Sequence, residues 1–143
     1  MTIRLIVAFV LLPFVAHADL LQEVNTSINK VPYVSDQEDY GVDNHWASVE
    51  DFMERGGDCE DYALAKFDKL RHLDDVELVM GFYKDGLGHA LLKVGDKILD
   101  NVTDEIMDYS HLDQFERFYF IPAASVDVAW KSALEEFKLI REN

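Results

Sequence analysis

The chain has a single cysteine, Cys59, among 143 residues, so no intramolecular disulfide can staple it. Basic residues are scarce. Thirteen Lys and Arg stand against 28 Asp and Glu, for a net charge of -15. Phosphate backbones and anionic lipid surfaces repel such a chain, so nucleic acid and membrane surfaces are not expected partners, while divalent cations stay open. Only three prolines interrupt it, Pro13, Pro32 and Pro122, and there are no internal repeats or low-complexity segments. The apolar run from Leu5 to Val15 is too short to span a bilayer.

That run follows Arg4 and precedes Ala16-His17-Ala18, the order of a secretory signal peptide. The sequence therefore predicts a signal peptide over 1–18, one exported domain over 19–143, and no membrane insertion after removal. A 49% hydrophobic fraction is enough for a packed core. In an exported chain a lone cysteine is a reactive thiol, an intermolecular partner or a small buried hydrophobe. The flanking Asp58, Glu60 and Asp61 argue against burial in an apolar core.

Local patterns predict an α+β fold of helices followed by an antiparallel sheet. A first helix is expected over Asp19–Val31, ended by Pro32, and a polar loop over Val34–Asn44. Ser48 caps a short helix whose apolar stripe is Val49, Phe52 and Met53, stopped by Gly56-Gly57. A central helix runs from about Cys59 to His72, with Asp58 as N-cap and Asp61 completing a capping-box-like exchange. Strands are expected over Val76–Tyr83, His89–Val94, Lys97–Val102 and Arg117–Ile121. Met107–Phe115 fits no single pattern, and a tail helix over Val126–Ile140 presents Val126, Trp130, Leu134 and Phe137.

Cys59 falls in the first turn of the central helix, where free N–H groups and the helix dipole favour a thiolate. A thiol nucleophile needs a base, usually a histidine held by a third polar group. His89, beside Gly88 at a strand mouth, is the best placed; His45, His72 and His111 read as solvated or structural. If Gly95-Asp96 is a two-residue turn, Leu91 pairs with Asp100, and Asp100 becomes the diagonal neighbour of His89 at a Cα separation of about 7–8 Å. One hairpin then carries base and orienter for Cys59. Separately, Asp58, Glu60 and Asp61 are hard oxygen ligands suited to Ca2+, although three positions do not complete its shell. Capping and solvation account for the same acids equally well.

Four stretches carry a resemblance: Asp-Tyr-Gly-Val-Asp-Asn-His-Trp-Ala-Ser (39–48), Gly-Gly-Asp-Cys-Glu-Asp-Tyr-Ala (56–63), His-Ala-Leu-Leu (89–92) and Ile-Leu-Asp-Asn (98–101). The chain resembles the bacterial transglutaminase-like cysteine proteinases, the LapG-like periplasmic proteases. The resemblance implies a papain-like/transglutaminase-like core, in which the nucleophile helix packs on the sheet. It implies Cys59 as nucleophile, His89 as base and Asp100 as orienter, with calcium dependence and Asp58, Glu60 and Asp61 near the ion. Trp46 matches the tryptophan of the loop before the nucleophile helix. The implied substrate is a large surface adhesin cut at an Ala-Ala type site to release biofilm cells. The implied partner is an inner-membrane cyclic-di-GMP receptor that sequesters the protease. A transglutaminase-type acyl transferase and a non-catalytic exported calcium-binding module are the competing readings.

Overall fold

The computed structural model describes residues 12–42 and 44–141, with side chains described from 17 to 135 apart from 43. Helix α1 is Leu12–Ile28, starting earlier and ending earlier than the sequence predicts. Residues 1–11 of the expected signal peptide lie outside the described residues. Leu21, Val24 and Ile28 form the buried stripe of α1. Among the described residues no helix is long and apolar enough to cross a membrane.

The stretch expected to be all loop contains one helical turn, α2 (Asp36–Asp39). The signal for it is the Ser35-x-x-Glu38 capping box: the Ser35 hydroxyl accepts from the Glu38 N–H and the Glu38 carboxylate accepts from the Ser35 N–H. Helix α3 (Val49–Arg55) is capped by Ser48, whose hydroxyl accepts from the Asp51 N–H at 3.1 Å. Phe52 is buried, but Met53 is exposed, so the expected stripe is narrower than predicted. Gly56 ends α3 at a φ of +89°, and a Cβ there would meet the Pro32 carbonyl oxygen at 2.5 Å. That approach lets the chain around Tyr33 bridge to Gly57.

Helix α4 (Cys59–Leu70) follows at once. Leu64, Phe67 and Leu70 are fully buried and pack in one core with Leu78, Leu92 and Leu99. Each such side chain contributes about 1.5–3 kcal/mol of burial free energy. The sheet comprises β1 (Val76–Phe82), β2 (Gly88–Val94), β3 (Lys97–Leu99), β4 (Met107–Asp108) and β5 (Arg117–Pro122). Their order is β4-β3-β2-β1-β5, with every neighbouring pair antiparallel. Helix α5 (Ala123–Arg141) packs against β1 and β5, with Val126 and Trp130 in the same core as α4. Phe137 lies among the side chains that are not described. The opposite face carries a smaller cluster of Val79, Leu91, Ile98, Leu112 and Phe115, closed by a 3-10 turn at Tyr109–Gln114.

Strand β3 ends at Leu99 rather than Val102. The cause is local. The Asp100 carboxylate accepts the Val102 N–H at 3.3 Å, an Asx-type bond that competes with the ladder and turns the chain.

Candidate active site

The hairpin register is the one the two-residue turn requires. Val94 pairs with Lys97, Lys93 with Ile98 and Leu92 with Leu99. Leu91 and Ile98 lie on the sheet face away from α4, and alternation puts His89 and Asp100 on that face too. His89 Nε2 lies 2.7 Å from Asp100 Oδ1, with Asp100 fully buried and His89 8% exposed. A carboxylate can only accept, so His89 donates from Nε2 and keeps its Nδ1 lone pair free. Burial works against ionisation of Asp100, but hydrogen bonds from His89, then from His111 and the Val102 N–H, hold it below the usual carboxylate range.

The backbone around Asp100 is fixed from α1. Asn29 donates to the Asp100 carbonyl at 3.0 Å and to the Thr103 carbonyl at 2.9 Å. Asn25, fully buried, donates to the carbonyls of Thr103 and Asp104. Lys66, on α4, is 1% exposed; burial lowers its pKa to about 7, against the opposing fields of Asp100 and Asp104.

Cys59 opens α4 as expected and is half-buried. The Ala90 backbone, one residue beyond His89, lies near enough to the sulfur to favour its thiolate. The thiol itself donates to Glu60 Oε2 at 2.9 Å, and among the hydrogen bonds of the described residues none joins it to His89. The expected lowering of the thiol pKa is therefore reversed in this arrangement. Burial, then the Glu60 carboxylate, push it up, and the Ala90 N–H only partly opposes them. Apo hydrolases commonly hold such pairs loosely until substrate tightens them.

The three expected metal ligands do not form one set. Asp58, Cys59 and Glu60 make one group, and Asp36, Asp58 and Asp61 another; within each, the ligand atoms lie within 4.8 Å of one another. Asp36 was read as part of a polar loop and is the acid that sequence reasoning missed; its only sequence signal is the Ser35–Glu38 cap that turns it inward. Asp61 accepts the Asp58 N–H at 3.2 Å, its half of the expected capping exchange, and also the Ala47 N–H at 2.8 Å. Asp36 Oδ2 accepts the His45 N–H. Asp36 Oδ1 and Asp58 Oδ1 are buried with no hydrogen-bond partner. Burial and the Glu60 carboxylate push Asp58 up to about 9, and burial pushes Asp61 up to about 7 despite its two N–H donors. Buried, close-set carboxylates with orphaned oxygens fit a hard divalent cation.

The other histidines divide. His72 is exposed. His45 is buried, its ring edge-on to Tyr40 at a 4.1 Å centroid separation. Of the two expected readings for His111, solvated or structural, the geometry favours the structural one: its Nε2 lies 2.8 Å from Asp100 Oδ2. Trp46 is half-buried against the main core. Tyr33, 62% exposed, stands at the rim, where burial and the charges of Asp58, Cys59 and Glu60 raise its pKa.

The family model described as bacterial transglutaminase-like cysteine proteinase matches residues 14–133. No curated protein sequence matches the chain. Among solved structures, calcium-bound LapG of Legionella pneumophila is similar, with 24% identity and a TM-score of 0.54 over 68% of this chain and 61% of that one. EGTA-treated LapG of the same organism gives 25% identity and a TM-score of 0.55 over 68% and 59%. The chain thus spans about 60% of the length of the LapG structures it matches. With 14–133 matched in a single stretch, the chain belongs to the bacterial transglutaminase-like cysteine proteinase family.

Proposed function

We propose that the protein is a periplasmic, calcium-dependent cysteine endopeptidase in which Cys59 is the nucleophile, His89 the base and Asp100 the orienter. The observation that carries this reading is the 2.7 Å His89–Asp100 bond on a hairpin whose next residue, Ala90, lies near enough to Cys59 to act on its thiolate. With Nε2 committed to Asp100, Nδ1 of His89 is the nitrogen that takes the thiol proton. The sulfur attacks a peptide carbonyl, and the Cys59 backbone N–H is one donor to the resulting oxyanion. His89 returns the proton to the leaving amine, and water then releases the acyl group from sulfur.

Asp36, Asp58 and Asp61 would hold the calcium ion, with Glu60, grouped with Asp58, as the neighbouring carboxylate and carbonyls or water completing the shell. A bound ion would supply charge compensation for these close-set carboxylates. Glu60 is also the acceptor of the thiol proton, so a cation held there would compete with the thiol for that carboxylate. Calcium-bound and EGTA-treated forms of a family relative support the choice of ion. By family resemblance, the substrate is a large cell-surface adhesin cut at a small-residue site, and the inhibitor an inner-membrane cyclic-di-GMP receptor. Export follows from the signal-like residues 1–18.

A transglutaminase would pass the same acyl group to an amine. The test is mass analysis of an Ala-Ala containing peptide after incubation with calcium and a primary amine. Two hydrolytic fragments are expected. A product carrying the amine would assign acyl transfer instead, and an intact peptide at every enzyme concentration would count against peptidase action on such sites.

A further inference from the structure

Asp100 is not served by one histidine but by two. His89 Nε2 reaches Oδ1 at 2.7 Å and His111 Nε2 reaches Oδ2 at 2.8 Å. Both oxygens of a fully buried carboxylate are thereby used, and both histidines must donate from Nε2. We propose that His111 is a positioning residue for the reaction, acting through Asp100 to lock the tautomer and orientation of His89; this rests on the Cys59–His89–Asp100 reading above.

Oδ1 accepts from His89 and from the Val102 N–H, so without His111 the carboxylate is held at one oxygen only and can swing about its Cβ–Cγ bond. A fixed donor on the opposite oxygen removes that freedom. Without His111, Oδ2 would be a buried charged oxygen with no side-chain donor, a costly state that favours rotation or water entry. Lys66 on α4 senses the Asp100 charge, but among the hydrogen bonds of the described residues none joins the two.

The segment that presents His111 is fixed at both ends. Before it, β4 pairs with β3 through Ile98–Met107 and Lys97–Asp108, and Asp108 Oδ1 caps the 3-10 turn by accepting the Ser110 N–H at 2.9 Å. Within and after it, Gln114 donates to the His111 carbonyl at 2.9 Å, and the Glu116 N–H donates to the Phe82 carbonyl at 2.9 Å. Leu112 is fully buried, and Phe115 lies on the sheet where Gly81 leaves room: a Cβ on Gly81 would meet the ring at 2.6 Å. The Phe115 and Tyr83 rings flank His89, with centroids 6.2 and 6.1 Å away. One short element thus orders a second donor to Asp100 and one wall of the His89 pocket. Surface histidines need no such arrangement.

The test uses the full chain with calcium present and two readouts that need no substrate. The first is the imidazole N–H resonances of 15N-histidine-labelled protein. The wild type is expected to show exchange-protected Nε2–H signals for His89 and His111. In His111→Ala the His89 signal is expected to broaden or vanish, and in His111→Gln, which keeps a donor at the same reach, to return. The second is alkylation of Cys59 by iodoacetamide, expected to slow about tenfold in His111→Ala and to recover in His111→Gln, near the low end of what loss of a partner orienting an active-site histidine costs. An unchanged His89 signal and an unchanged rate in His111→Ala would overturn the proposal. His89→Ala separates the two levels. If it alkylates as fast as wild type, the underlying triad fails and this inference with it; if it is slow while His111→Ala is fast, the His111 proposal alone fails.

Discussion

Asp100→Ala is expected to lower kcat/KM for an Ala-Ala containing peptide by about four orders of magnitude, the scale of losing a carboxylate that fixes a catalytic histidine. The size follows from how much one side chain holds. Its Oδ1 accepts from His89 and from the Val102 N–H, and its Oδ2 from His111. Alanine leaves two imidazole N–H groups, His89 buried and His111 half-buried, without their acceptor and releases the turn that ends β3. The Asn29 contact is made to the backbone carbonyl and survives. Thermal melting of the variant belongs beside the kinetics. A folded Asp100→Ala protein with a wild-type rate would remove Asp100 from the reaction, and with it the reason for placing His89 there.

The second large effect is on stability. Millimolar calcium is expected to raise the melting temperature of the wild-type protein, by an amount equivalent to about 2.7 kcal/mol when free calcium is a hundredfold above its dissociation constant. Asp36→Asn and Asp58→Asn are expected to abolish that rise, since each removes a buried carboxylate with an orphaned oxygen. The two variants also carry a sign that simple damage does not. Without calcium the acids crowd one another in a partly buried place, which is why Asp58 is pushed up to about 9, so a neutral amide at either position is expected to leave the metal-free protein at least as stable as wild type. Magnesium, which demands a tighter octahedral shell, is expected to shift melting less than calcium. An unchanged melting temperature across a calcium titration would contradict the ion's role.

Much of this arrangement is legible in the sequence because it is local. Gly95-Asp96 fixes a two-residue turn, the turn fixes the register, and strand alternation then puts His89 and Asp100 on one face. The start of α4 at Cys59 is equally local, since the Gly-Gly pair and the acids after it are a helix-entry pattern. Non-local contacts were not legible. Asp36 joins Asp58 and Asp61 only because the chain at Tyr33 bridges to Gly57, which brings α2 beside the start of α4. His111 reaches Asp100 only because Phe115 and Leu112 seat a 3-10 turn on the far face of the sheet, and no periodicity announces such a turn. The thiol is a third kind of case. Cys59 does open the helix, but burial and then the neighbouring Glu60 carboxylate raise the thiol pKa.

The central claim is that Cys59 is a nucleophile activated by His89. Its most direct test is the second-order rate of Cys59 alkylation by iodoacetamide at neutral pH, with calcium present, in wild type and in His89→Ala. The account predicts a wild-type rate above that of an unactivated free cysteine, and a fall of about tenfold or more when His89 is removed. Equal rates in the two proteins, no faster than a free cysteine, would contradict it.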